Sequence, residues 1–245
     1  GGFEREMLRY NQATAPVAYE TLDGEIRQAG GKSRSLNTRR MFPQVSADLS
    51  VRWCSSYLKV MVLDAILCNE DRFLGSRTLV VTGERAEESA SRASYAEFEP
   101  HRSDNRGGTR RRRHVDHWRP IHKWTEEQVW AILRRHGLVA HPCYYLGWGR
   151  ASCSACVFGS ANQWASLRAI GPGQFGAIAS YEREFGVTIQ RNETVAQRAD
   201  RGRPYDMDPR VVALAMSEAY AGPVVVRPED WVLPAGAFGE NAGPC

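Results

Sequence analysis

The chain has 245 residues, 42% hydrophobic and 24% charged, with a formal net charge of +4 and six cysteines. Such a length can bury a substantial core, and the composition is that of an ordinary globular protein. No apolar run approaches a membrane span and no charged-then-apolar leader is visible, so six cysteines are not expected to form a secreted disulfide framework, and a cytoplasmic setting with reduced thiols is expected.

Residues 1–50 read as an irregular linking segment. Glu4 to Tyr10 fits a short helix, and Val17 to Glu20 a short strand before the Asp23-Gly24 turn signal. Gly30-Gly31-Lys32-Ser33 has the letters of a phosphate loop, but the preceding Glu25 to Ala29 is too polar for the buried strand that loop requires. A helix is expected from Cys54 to Asn69, with Tyr57, Leu58, Val60, Met61, Leu63, Ile66 and Leu67 on its packed face. Arg77 to Gly83 is a bounded β-branched run, the pattern of a buried strand in an α/β sheet. Open sheets of that kind place ligands beyond the strand's carboxyl end, here the Gly83–Arg92 loop.

Arg110-Arg111-Arg112-Arg113 is a concentrated basic run, either a solvated loop or a surface for phosphates. Val115 to Ile121 reads as extended. Thr125 caps a helix that turns Val129, Trp130, Ile132 and Leu133 inward and ends at Gly137. A cysteine-bearing loop follows at 141–160, then helices near 161–170, 172–186 and 209–220. The Pro- and Gly-rich tail from Gly222 is an ordered arm or a frayed end. The expected division is therefore 1–50 as a linking segment, 51–190 as the main α/β domain, and 191–245 as a C-terminal helix and arm.

Two stretches carry chemistry. In Gly83–Arg92, the guanidiniums of Arg85 and Arg92, with Ser89 and Ser91 between, are donors suited to sulfate, phosphate or pyrophosphate. Glu87 and Glu88 would neutralise them, or bind a ribose or Mg²⁺. Lys59 is a candidate to face the same anion, and His141 to contact a phosphate. The alternative is a helix N-terminus with ordinary capping and surface ion pairs. In Ala151–Cys156, the Cys153-x-x-Cys156 pair can grip one metal or cluster. Cys54, Cys153 and Cys156 are the first three candidate ligands and Cys143 the fourth. Cys68 falls in an apolar helix pattern and reads as a small buried hydrophobe. His101, His114, His117, His122 and His136 read as surface or capping residues. Trp118-Arg119-Pro120 and Trp124 read as core-and-turn residues.

Taken in order, these segments resemble the phosphoadenosine phosphosulfate (PAPS) reductase family of the adenine-nucleotide alpha-hydrolase superfamily. Arg52-Trp53-Cys54 with Leu58-Lys59 is similar to its cysteine-then-lysine segment, and Gly83–Arg92 to its substrate loop. Trp118-Arg119-Pro120-Ile121 with Trp124-Thr125 and Trp130 resembles its next motif, and His141-Pro142 through Cys156 the Cys-x-x-Cys ending of the iron–sulfur branch. The resemblance implies an α/β fold with a parallel sheet flanked by helices, here without the N-terminal pyrophosphate-loop half, since no Ser-Gly-Gly-x-Asp-Ser segment is present. A longer protein or a partner would supply that half. Only one cysteine, Cys54, stands where the cluster-binding branch has a pair, and Gly243-Pro244-Cys245 does not reproduce the reductases' Glu-Cys-Gly nucleophile.

What the resemblance then implies is an enzyme of ATP-dependent sulfur transfer, of the DNA phosphorothioation type. It would carry a 4Fe-4S cluster, a sulfur donor such as a cysteine desulfurase would serve it, and DNA would lie along Arg110–Arg113. The alternatives are a PAPS or adenylylsulfate reductase, and a non-catalytic module, either nucleic-acid-binding with zinc in the cysteine loop or completing a partner's site.

Overall fold

The computed structural model describes residues 17–20, 26–29, 41–46, 48–217 and 220–239. The readings at Glu4–Tyr10, Asp23-Gly24, Gly30–Ser33 and Cys245 lie outside the described residues. The chain divides into two units between His122 and Lys123, a point inside the 51–190 segment.

The N-terminal unit opens with an antiparallel pair, β1 (Val17–Glu20) and β2 (Ile26–Ala29). The expected helix is present in pieces: α1 (Trp53–Ser55), a π turn at Ser56–Val60, and α2 (Met61–Asn69). Three strands form the main sheet: β3 (Arg77–Val81), β4 (Phe98–Pro100) and β5 (His114–Trp118), in the order β3-β5-β4. β3 and β5 are parallel, with Val80 opposite His117 and Val81 opposite Trp118, whereas β4 runs antiparallel to β5. The sheet is thus mixed, its parallel pair closed at one edge by a short antiparallel strand.

Leu67 of α2 packs on Val80 and Val115 with Phe73 beside them. Each such side chain contributes about 1.5–3 kcal/mol when fully buried. β3 is buried on this face alone: Leu79 and Val81 are exposed, and so are Trp118 and Phe98. The run Arg77–Val81 has no polar alternation to reveal this, because a strand at a sheet edge has few neighbours to cover its second face.

The basic run is neither a free loop nor a uniform phosphate surface. Arg111, at φ 47°, donates to the Cys68 and Asn69 carbonyl oxygens at 3.0 and 2.8 Å and pairs with Asp71 at 3.0 Å. It thereby satisfies carbonyls that the end of α2 leaves without intrahelical partners. Arg113 donates to Ser103 O at 2.7 Å and to Cys68 Sγ at 3.1 Å. Cys68 is consequently half-buried beside a guanidinium rather than a hidden apolar filler. Arg110 and Arg112 remain exposed.

The C-terminal unit is helical. In α4 (Glu126–Arg135), Thr125 and Gln128 form the reciprocal capping box, and Trp130 is buried. Gly137 ends it at φ 62°. After the short α5 (Pro142–Tyr145) come α6 (Ala161–Ile170), α7 (Pro172–Phe185), α8 (Val195–Arg201) and α9 (Pro209–Met216). Of these, α8 is unanticipated, a seven-residue helix too brief for a periodic signal. α9 stops earlier than the expected 220. The tail is an ordered arm: Trp231 is buried against Trp130 and Ala140, and its Nε1 donates to Leu138 O at 2.8 Å.

Candidate functional site

The Gly83–Arg92 loop leaves the carboxyl end of β3. A 3-10 turn spans Ala86–Glu88, and a single helical turn, α3 (Ala90–Ala93), follows. Ser89 is its N-cap, the hydroxyl accepting from Arg92 N at 3.2 Å. Arg85 pairs with Glu87 at 2.6 Å and reaches Glu88 at 3.7 Å, while Arg92 also pairs with Glu88. The loop therefore gathers Arg85, Ser89 and Arg92, and the carboxylates within it occupy both guanidiniums. Anionic groups are what these cations accept, so a bound phosphate or sulfate would compete with Glu87 and Glu88.

What holds the loop is a closed ring of hydrogen bonds between the exits of β3 and β5. Arg119, its side chain 6% exposed, donates from Nε to Glu84 Oε2 at 2.7 Å. Its Nη1 donates to Ala96 O at 2.6 Å and Glu99 Oε1 at 2.7 Å, and its Nη2 reaches His117 Nδ1 at 3.1 Å. A guanidinium only donates, so His117 Nδ1 accepts and the imidazole proton sits on Nε2. That proton points to Thr82 Oγ1 at 2.8 Å, and the Thr82 hydroxyl donates to Glu84 Oε2 at 3.2 Å, which closes the circuit.

The ring sets the protonation states of its members. Burial raises the Glu84 carboxyl, but the hydrogen bond and charge of Arg119 outweigh it and hold Glu84 below the usual carboxylate range. Burial, then the Arg119 charge, keeps His117 below its ordinary value, and burial does the same for His101, whose ring meets His117 edge-on at 5.4 Å. His101 and His122 are buried at 8% and 6% exposure rather than surface residues. Sequence reasoning passed over Thr82, Glu84, His101 and His117. The one available signal was Arg119 in its Trp-Arg-Pro setting.

Lys59 is exposed on the π turn directly after Cys54, and the contacts among the described residues do not join it to the Arg85 loop. Such turns are frequent at functional sites. His141, in the C-terminal unit, is the N-cap of α5: its Nδ1 accepts from Cys143 N at 3.2 Å, and the ring is exposed.

Of the candidate ligand cysteines, Cys54 belongs to the N-terminal unit and Cys143, Cys153 and Cys156 to the C-terminal one; all are half-buried and free of disulfides. Burial pushes the Cys143 thiol up to about 11. Among the described residues no group of three or more His, Cys, Asp or Glu is gathered as a metal site. By donor type, the Cys153–Cys156 pair suits zinc or an iron–sulfur cluster, and the thiols of Cys54 and Cys143 are of the same kind. The loop is held from behind. Arg198 donates from Nε and Nη2 to Gly159 O at 3.1 and 2.9 Å, Gln190 Nε2 to Val157 O at 3.0 Å, and Ser154 Oγ to Gln174 Oε1 at 3.0 Å.

Comparison with known proteins gives one family. The model of the phosphoadenosine phosphosulfate reductase domain matches residues 32–158, more than half of the chain. The chain is also similar to an uncharacterized 37.8 kDa protein, in the gpa 5' region, of Escherichia phage 186. The two are 36% identical over 112 residues, which is 46% of this chain and 31% of the relative, so the match spans about a third of the relative's length. No solved structure matches significantly.

Proposed function

This chain belongs to the phosphoadenosine phosphosulfate reductase domain family, and from that premise we propose that it is a sulfur-metabolism enzyme that binds the phosphates of an adenine nucleotide at the Gly83–Arg92 loop. The family is generally enzymatic, comprising sulfonucleotide reductases and sulfurtransferases. The observation that carries the reading is the loop's placement. Two arginines and a capping serine stand at the carboxyl end of a parallel strand pair, clamped from beneath by Arg119.

In the reading we favour, ATP activates a phosphate-bearing acceptor and sulfur is then transferred to it. Arg85 and Arg92 exchange Glu87 and Glu88 for the nucleotide's phosphates, with Lys59 of the same unit as a further cation. Cys153 and Cys156, with Cys143 of the same unit, would hold an iron–sulfur cluster, which would supply electrons or sulfide when bound.

A second reading, reduction of a small sulfonucleotide, draws support from the use of Arg111 and Arg113. Both bond groups at the end of α2, which leaves the exposed Arg110 and Arg112 as the part of the run not engaged there and available to the surface proposed for DNA. Two assays on protein purified without oxygen separate the readings. Formation of AMP and pyrophosphate from ATP, dependent on a phosphate-bearing acceptor, a persulfide donor and a thiol reductant that supplies the two electrons, supports sulfur transfer; release of sulfite from PAPS with a thiol reductant supports the reductase. Neither activity, with a folded and metal-replete protein, would sink the enzymatic assignment.

A further inference from the structure

The turn that follows the cysteine pair is unusually tight. Gly159 N donates back to Cys156 O at 2.8 Å, and a methyl group on Gly159 would sit 3.0 Å from that oxygen. The same methyl position lies 3.0 Å from Trp164 Nε1. The indole therefore turns its N–H edge to Gly159, three residues past Cys156. Trp164 lies in α6, is 1% exposed, and stacks edge-to-face on Phe175 at 6.4 Å. Its Nε1 has no hydrogen-bond acceptor among the described residues.

A buried donor left without an acceptor costs about 1–3 kcal/mol, and phenylalanine would pack there without that cost. The other polar groups holding this turn, from Arg198, Gln190 and Ser154, all have partners. What the turn lacks is an acceptor that arrives with a ligand. Metal-bound thiolate and cluster sulfur are anionic, accept N–H hydrogen bonds, and are tuned by them.

We propose that the Trp164 indole N–H is the hydrogen-bond donor to the metal-bound sulfur held at the Cys153–Cys156 turn. The inference rests on the reading that this pair holds a metal. Trp164 is then the group that stabilises the negative charge on sulfur and orients the turn around the bound ion. Donors of this kind typically contribute 10- to 100-fold in metal affinity.

The test uses cobalt(II) as the probe, titrated into the metal-free full chain and followed by thiolate-to-cobalt absorption. Wild type should show the thiolate band, and Cys153→Ser should lose it. Trp164→Phe should keep the fold, with an unchanged or higher melting temperature, and bind cobalt about 10-fold more weakly or worse. If that variant does not fold, 3-benzothienylalanine placed at position 164 keeps the indole's shape without its N–H and should show the same loss. Wild-type cobalt affinity in either N–H-free protein overturns the role of Trp164 and leaves the metal reading intact. Absence of a thiolate band in wild type overturns both.

Discussion

Arg119 and Glu84 meet at 2.7 Å across the ends of two parallel strands, in the same guanidinium fork that holds Glu99 at 2.7 Å. The contact ties the first residue after Gly83 to the first residue after β5. Through it the Gly83–Arg92 loop is tied to the sheet. A phosphate site on a strand exit needs such an anchor, since positioning rather than bond-making is what the loop contributes.

Replacing Arg119 with Ala should destabilise the N-terminal unit by about 3 kcal/mol, the lower end for removing one partner of a buried ion pair, because Glu84 and Glu99 both reach solvent. Arg119→Lys should restore little of it. A lysine head cannot serve Glu84, Glu99, Ala96 O and His117 at once from a planar fork. Urea unfolding of the two variants checks both statements.

The N-terminal unit should lose stability as pH falls from about 7 to 5. His101 and His117 are held below the ordinary histidine value of about 6.5, so the unfolded chain takes up their protons first. Stability from these groups is complete above the unfolded value and disappears as pH passes through the folded one. His117→Gln should flatten the profile of melting temperature against pH in this window; an unchanged slope would remove His117 from the account.

Much of this was legible in the chain. The Thr125 cap, the stop at Gly137 and the strand beginning at Arg77 all follow from neighbours within a few residues. The ring at Arg119 was not. It joins Thr82 and Glu84 to His117 and Arg119 across 35 positions, and no local pattern encodes which histidine a distant arginine will hold. The docking of Arg111 on the carbonyls of Cys68 and Asn69 is equally remote in sequence, which is why the basic run read as a surface.

That run offers its own test. If exposed Arg110 and Arg112 contact DNA phosphates, changing both to Ala should reduce the slope of log affinity against log salt by about 2. Arg111→Ala should instead lower the melting temperature, since its guanidinium serves the end of α2. A salt slope unmoved by the first pair would remove DNA from the surface.

In the C-terminal unit, Gly137→Ala should cost about 1–2 kcal/mol from the left-handed backbone alone. More is expected in practice, because the added methyl would run into the Val226 carbonyl, whose amide bonds Gly137 O at 2.8 Å. Thermal unfolding of this variant measures how firmly the arm is latched to α4.

Calorimetric titration with ATP and with PAPS most directly tests phosphate binding at the Gly83–Arg92 loop. Wild type should bind one of them; Arg85→Ala and Arg92→Ala should each abolish binding. Glu88→Gln, which removes the carboxylate paired with Arg92 and leaves Arg85 on Glu87, should bind several-fold more tightly. Nucleotide affinity unchanged in the two arginine variants would contradict the assignment of this loop.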